Sequence, residues 1–126
     1  MRSSSRCCER KSGRLNRGEI WWARLPEPFG SEPGFHRPVV IIQSDRFNYS
    51  RISTIIAAAI SRNLRLRSAP GNVYLPRRTS GLNHDSVVNV SQLVTLDRGR
   101  LDKLMGHLPL VKLRELEDGL RLVLAS

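Results

Sequence analysis

Apolar residues in this chain gather in short, dense runs separated by turn formers, and only the C-terminal segment changes to a helical period. Glu19-Ile20-Trp21-Trp22-Ala23-Arg24-Leu25 predicts a first strand, ended by Pro26 and Pro28, because proline cannot donate to a strand ladder. One tryptophan is expected to face the core and its neighbour the opposite side. Arg37 to Gln43 and Ser53 to Ile60 are near-continuous apolar runs rich in β-branched residues, the pattern of strands covered on both faces. Between them Ser44-Asp45-Arg46-Phe47-Asn48-Tyr49 reads as a turn or short helix. Asn72 to Leu75 predicts a short strand after Pro70-Gly71, and Ser86 to Leu96 a longer, slightly kinked one.

Pro109 suits a first helical turn, and after it Leu110, Leu113, Leu116 or Glu117, Leu120 and Leu124 trace one face at helical spacing. Gly119 weakens such a helix by about 1 kcal/mol relative to alanine, so packing must hold it. A preceding short helix is expected from Asp97 to Leu104, with the aspartate as its N-cap. These elements describe a mainly β domain with short helical connections and a C-terminal helix, without internal repeats. A chain of 126 residues has room for one such core.

Charge sharpens this outline. The net charge is +10, with 21 Lys and Arg against 11 Asp and Glu, which points to phosphate-bearing partners. Residues 1 to 17 hold six cations and one anion, so the other 109 residues carry only half of that excess. Met1 to Asn16 lacks hydrophobic periodicity and is rich in Ser and Arg; it reads as a disordered basic tail or an overextended translation start, with one domain from 17 to 126. Cys7 and Cys8 are adjacent, too close for an ordinary disulfide and without the partners of a zinc motif. A reduced, cytosolic setting follows. The longest apolar stretch, Ile55 to Ile60, is six residues, so neither a membrane span nor a signal peptide is supported.

Chemistry must then lie in the loops. Gly30 to Arg37 forms a glycine-containing loop that delivers one arginine, followed by Pro38, to the mouth of the strand Val39-Val40-Ile41-Ile42. A positioned arginine faces a carboxylate or a phosphate more often than not. From Ser61 to His84 the chain carries Arg62, Arg65, Arg67, Arg77 and Arg78 and no acid. Two such loops at one sheet edge make a basic groove with Phe29 and Phe35 beside it.

Arg17-Gly18-Glu19-Ile20-Trp21, Gly30-Ser31-Glu32, Arg37-Pro38-Val39-Val40-Ile41, Ala57-Ala58-Ala59-Ile60-Ser61, Gln92, Thr95-Leu96-Asp97 and the closing helix stand in an order and spacing that resembles the MazF/PemK family. Its members are sequence-specific ribonuclease toxins, and the likeness spans roughly residues 17 to 124. The resemblance implies a small SH3-like β-barrel, a homodimer, and cleavage of single-stranded RNA without metal or other cofactor. It also implies attack by the ribose 2′-hydroxyl, leaving a 2′,3′-cyclic phosphate and a 5′-hydroxyl, and inhibition by an acidic antitoxin. The substrate class that the resemblance implies is messenger RNA, with ribosomal or transfer RNA as the alternatives.

Carried onto this chain, the essential loop arginine of the family is Arg37 and the strand-end hydroxyl is Ser61. Glu32 is the carboxylate candidate for orienting the 2′-hydroxyl. Phe29, Gly30, Ser31, Arg65, Arg77 and Gln92 are RNA-binding candidates, Gln92 through paired hydrogen bonds to an extruded base. An arginine stays protonated because its pKa exceeds roughly 12, so Arg37 is an electrostatic catalyst rather than a base. Plain structural roles compete: an ion pair of Arg37 with Glu19 or Glu32, a turn cap for Ser61, and solvated loop arginines. Where many members place a carboxylate near the strand glutamine, this chain has Asn89 and Ser91, and Pro33 stands where glutamine is common. His36 should point away from Arg37 on an extended backbone, and lone histidines such as His84 and His107 are usually structural. A non-catalytic binder on the same barrel, acting on nucleic acid or on a protein such as gyrase, is the alternative reading.

Overall fold

The computed structural model describes residues 15–25 and 36–124. Six antiparallel strands form one sheet: β1 Glu19–Arg24, β2 His36–Ile41, β3 Thr54–Ser61, β4 Val73–Leu75, β5 Ser86–Asp97 and β6 Leu101–His107. Their lateral order is β4-β5-β3-β2-β1-β6. Among the described residues three helices accompany the sheet, α1 Asp45–Asn48, α2 Arg77–Ser80 and α3 Leu110–Leu124, with 3-10 turns at Leu64–Ser68 and Arg98–Arg100.

The sheet curls into a partial barrel, helped by register shifts in β5 and β6, and both of its faces are apolar. One face gathers Ile20, Val40, Ala58, Ile60, Val88 and Val90 under Leu116 and Leu120 of α3. The other gathers Trp21, Ala23, Val39, Ile41, Ala57 and Leu96, capped by Leu15 and Leu25. Alternating residues therefore enter two cores, which is why β2 and β3 read as unbroken apolar runs. Trp21 is buried and Trp22 half-buried on the opposite side. Leu15 and Asn16 belong to this body: Leu15 is buried in the second core, and Asn16 donates to the Glu19 carboxylate. The expected tail boundary after Asn16 passed over Leu15, since one leucine in a polar stretch has no period.

Residues 97–104 do not form the expected helix. Asp97 does cap a turn, accepting from the Gly99 N–H at 3.0 Å, but only a 3-10 turn follows before β6 begins. Pairing with β1 supplies the backbone partners of Leu101 to His107 along most of its length, and two register shifts in that ladder break the alternation that marks a strand. The open edges of the curl approach each other where α2 meets β6. A Cβ at Gly81 would lie 2.6 Å from the Met105 carbonyl, and one at Gly106 2.8 Å from that of Ser80.

Gly119 in α3 has a similar cause. A Cβ there would stand 2.0 Å from the carbonyl oxygen of Gly71, so the helix seats against the sheet only with glycine at this position. The predicted stripe is buried in the middle, at Leu116 and Leu120, while Leu110 and Leu124 at its ends are exposed. Arg17 ties the helix to the N-terminal side through Glu117 at 3.6 Å.

Candidate active site

Strand register brings Arg37 and Ser61 together. β2 and β3 pair Val39 with Ala59 and Ile41 with Ala57; continuing that register by two residues sets Arg37 opposite Ser61. Both lie on the face of Val39, Ile41 and Ala57, and both are buried, Arg37 at 7% and Ser61 at 1% exposure. Pro38 explains how the arginine is held. Ile42 N–H donates to the Ile56 carbonyl, so by antiparallel alternation the pairs 40/58 and 38/60 are the hydrogen-bonding ones. Pro38 has no N–H to give the Ile60 carbonyl. Arg37 Nη2 takes that carbonyl instead at 3.1 Å, which fixes the guanidinium one residue from Ser61.

Ser61 also has the local role open to any strand-end serine: its Oγ accepts the Asn63 N–H at 2.9 Å. The Glu19 carboxylate takes up Asn16 and the Trp21 indole N–H at 3.1 Å. Arg37 stands opposite Ala23, four residues along β1 from Glu19, or about 13 Å of strand. Glu32, Phe29, Gly30 and Ser31 lie outside the described residues.

β5 carries the next polar groups of the same face. Ala58 pairs with Leu93 but Ala59 with Asn89, so residues 90–92 form a bulge, the kink expected in this strand. Asn72 Oδ1 accepts the Val90 N–H at 3.0 Å, and Asn89 Oδ1 accepts the Ser91 N–H and hydroxyl at 3.2 and 2.7 Å. Gln92, half-buried, sits in this bulge, about three residues along the sheet from Ser61. Asn72 and Asn89 were not singled out as bulge anchors from the sequence, although a buried asparagine among Val87, Val88 and Val90 is the signal.

Arg65 is exposed on the 3-10 turn after β3, and Arg77 is exposed at the start of α2. The Arg77 N–H donates to Asp85 Oδ1 at 2.8 Å. His36 lies on the side of the sheet away from Arg37, tilted against Trp22 at 5.9 Å, with Nε2 2.5 Å from Asp102 Oδ2. Asp102 also receives Arg24 Nε at 3.1 Å. The His36 contact, aided by Arg24, holds the Asp102 carboxyl below its ordinary range. Among the described residues no three of His, Cys, Asp and Glu converge as a metal-ligand group, and no helix is long and apolar enough to cross a membrane.

The family of PemK-like, MazF-like toxins of type II toxin–antitoxin systems matches residues 16–124. Endoribonuclease MazF2 of Mycobacterium bovis is 48% identical over 110 residues, covering 87% of this chain and 96% of that protein. Endoribonuclease MazF6 of Mycobacterium tuberculosis matches to the same extent. Among solved structures, the Mycobacterium tuberculosis toxin MazF-mt6 has a TM-score of 0.68 at 21% identity, over 82% of this chain and 92% of that one. An endoribonuclease in complex with its cognate antitoxin, from a mycobacterial species, has a TM-score of 0.67 at 17% identity, over 87% and 94%. MazF of Deinococcus radiodurans has a TM-score of 0.68 at 23% identity, over 89% and 97%. These likenesses establish the barrel fold, and the family match over residues 16–124 places the chain in the PemK/MazF-like family of type II toxins.

Proposed function

We propose that the protein is the endoribonuclease toxin of a toxin–antitoxin pair, acting in the cytoplasm as a homodimer on single-stranded RNA. The observation that carries this is the Arg37 guanidinium, pinned to the Ile60 carbonyl beside Ser61. Few of its atoms face water, so a phosphate reaching it meets a donor that needs little reorganisation. In the reaction the ribose 2′-oxygen bonds to phosphorus, and the bond to the 5′-oxygen breaks. The 2′-hydroxyl gives its proton to a base, for which Glu32 is the carboxylate candidate, and the departing 5′-oxygen takes one up. Arg37 steadies the charge gathered on the non-bridging oxygens, and the Ser61 hydroxyl holds the same phosphate. Phe29, Gly30, Ser31, Arg65, Arg77 and Gln92 contact the strand on either side. An acidic antitoxin segment would cover the same basic surface.

Purified protein should cut single-stranded RNA in EDTA, leaving 2′,3′-cyclic phosphate and 5′-hydroxyl ends readable by end-specific ligation and sequencing. Free 3′-hydroxyl ends, or cutting only with added divalent metal, would sink the mechanism.

A further inference from the structure

Two clefts of about 480 and 490 Å³ lie side by side next to Ser61 and share Arg77 and Asp85. The nearer one begins at Arg62, the residue after Ser61, and includes Asn83 and His84. The farther one ends at Tyr74. Register places these clefts on one line across the sheet. Arg37 stands opposite Ser61, Ser61 pairs with Val87, and Val87 pairs with Tyr74. Three strand spacings separate Arg37 from Tyr74, about 14 Å. Val73 and Leu75 enter the core under α3, so Tyr74 projects to the face of Arg37 and Ser61. The Arg67 guanidinium lies over the Tyr74 ring, 4.2 Å from its centroid, and Lys112 Nζ of α3 lies over it at 5.9 Å.

Asp85 is the anomaly in this line. It closes the acid-free stretch that runs from Arg46 to His84, and it stands among Arg62, Arg77 and Arg78. A carboxylate there opposes any polyanion. One contact of Oδ1, the Arg77 N–H, is structural. A carboxylate has about four acceptor sites and no donor when ionised, which leaves capacity open toward the clefts.

We propose that this double cleft is an RNA subsite that admits a base bearing an exocyclic amino group and rejects uracil, with Asp85 as the specificity-determining residue and Tyr74 as a stacking platform. The inference rests on the RNA-cleaving reading above. Cytosine and uracil form the sharpest pair: cytosine presents an N4 amino donor where uracil presents the O4 acceptor. Against Asp85 the amino group gains a charge-assisted hydrogen bond, whereas the carbonyl oxygen meets a like charge distribution. Arg62 and Arg77 hold the flanking phosphates, and the base packs on Tyr74 together with the Arg67 guanidinium stacked over that ring.

Binding of fluorescent 2′-deoxy oligonucleotides, which lack the attacking hydroxyl, tests the subsite apart from cleavage. Each position of the oligonucleotide is made cytosine or uracil in turn. At one position cytosine should bind about tenfold tighter than uracil, and Asp85→Asn should erase that ratio while keeping an oxygen for the Arg77 N–H. Tyr74→Leu should weaken every oligonucleotide about fivefold or more without changing the ratio, a second arm that does not depend on how well Asp85→Asn folds. The subsite is overturned if no position discriminates, or if Asp85→Asn discriminates like the wild type. A protein that shows the Asp85-dependent ratio but never cuts RNA would instead overturn the cleavage reading and leave the subsite standing.

Discussion

The two faces of the sheet bury similar apolar residues but treat their polar groups differently. On the face of Trp21 and Val39, polar side chains are inside: Arg37, Ser61 and Asn89 are all buried and hydrogen-bonded in place. On the face covered by α3, the core is mostly apolar with the small Ser86 buried beside Leu75, and ionisable groups such as His36 and Asp102 pair at its margin in contact with solvent. Adjacent residues of one strand, His36 and Arg37, thus have opposite fates. A side chain's chemistry here follows from its place in the pleat more than from its type.

That contrast can be broken most sharply at Arg37. Arg37→Ala should lower the rate of RNA cleavage by roughly 10² to 10³, the scale for losing one preorganised charge-stabilising donor. Its thermal midpoint should move by only a few degrees, since each hydrogen bond lost contributes about 1 kcal/mol. Full activity in that variant would remove Arg37 from the chemistry. Pro38→Ala probes the pin itself. It gives the Ile60 carbonyl a backbone donor that competes with the guanidinium, so kcat should fall about tenfold, since slight misplacement of a catalytic group is costly. Stability should hold or rise, and a Pro38→Ala enzyme with unchanged kcat would show that the pin is incidental. Ser61→Ala should also slow cleavage, by less than Arg37→Ala, and unchanged kinetics would reduce Ser61 to its cap on Asn63.

The other face should answer in stability instead. Gly119→Ala improves helix propensity by about 1 kcal/mol, yet the added methyl collides with the Gly71 carbonyl. A net loss of about 1–3 kcal/mol is expected, as for overpacked cores, measured by denaturant unfolding, with cleavage per folded molecule unchanged. The smallest effect belongs to Asp102. Its carboxyl is held below the ordinary range in the folded state, so its contribution is present above the unfolded-state value and lost as pH falls through the folded one. Asp102→Asn should flatten that acid limb of the thermal midpoint slightly, because the group is partly exposed and screened. An acid limb unchanged in Asp102→Asn would contradict this assignment.

Much of this contrast was legible in the chain. Unbroken apolar runs marked β2 and β3 as doubly covered, and Arg37-Pro38 at the head of one run marked the held arginine. What the residues did not disclose depends on contacts far along the chain. β6 reads as a helix because bulges against β1 disrupt its alternation. Gly119 reads as a weakness in a helix because Gly71, its reason, is 48 residues away. Pro38's part required the register of β3, which decides that the carbonyl it leaves bare is that of Ile60. Asp85 reads as an ordinary loop acid until the two clefts place it between arginines.

The irregular outer strands have a consequence for life in a crowded cell. β4 offers only three residues, and β6 is twice shifted against its neighbour. A sheet grows by adding a stranger to a long, flat border, and neither border here is of that kind. Neither border therefore offers the sheet of a second copy a template for joining edge to edge.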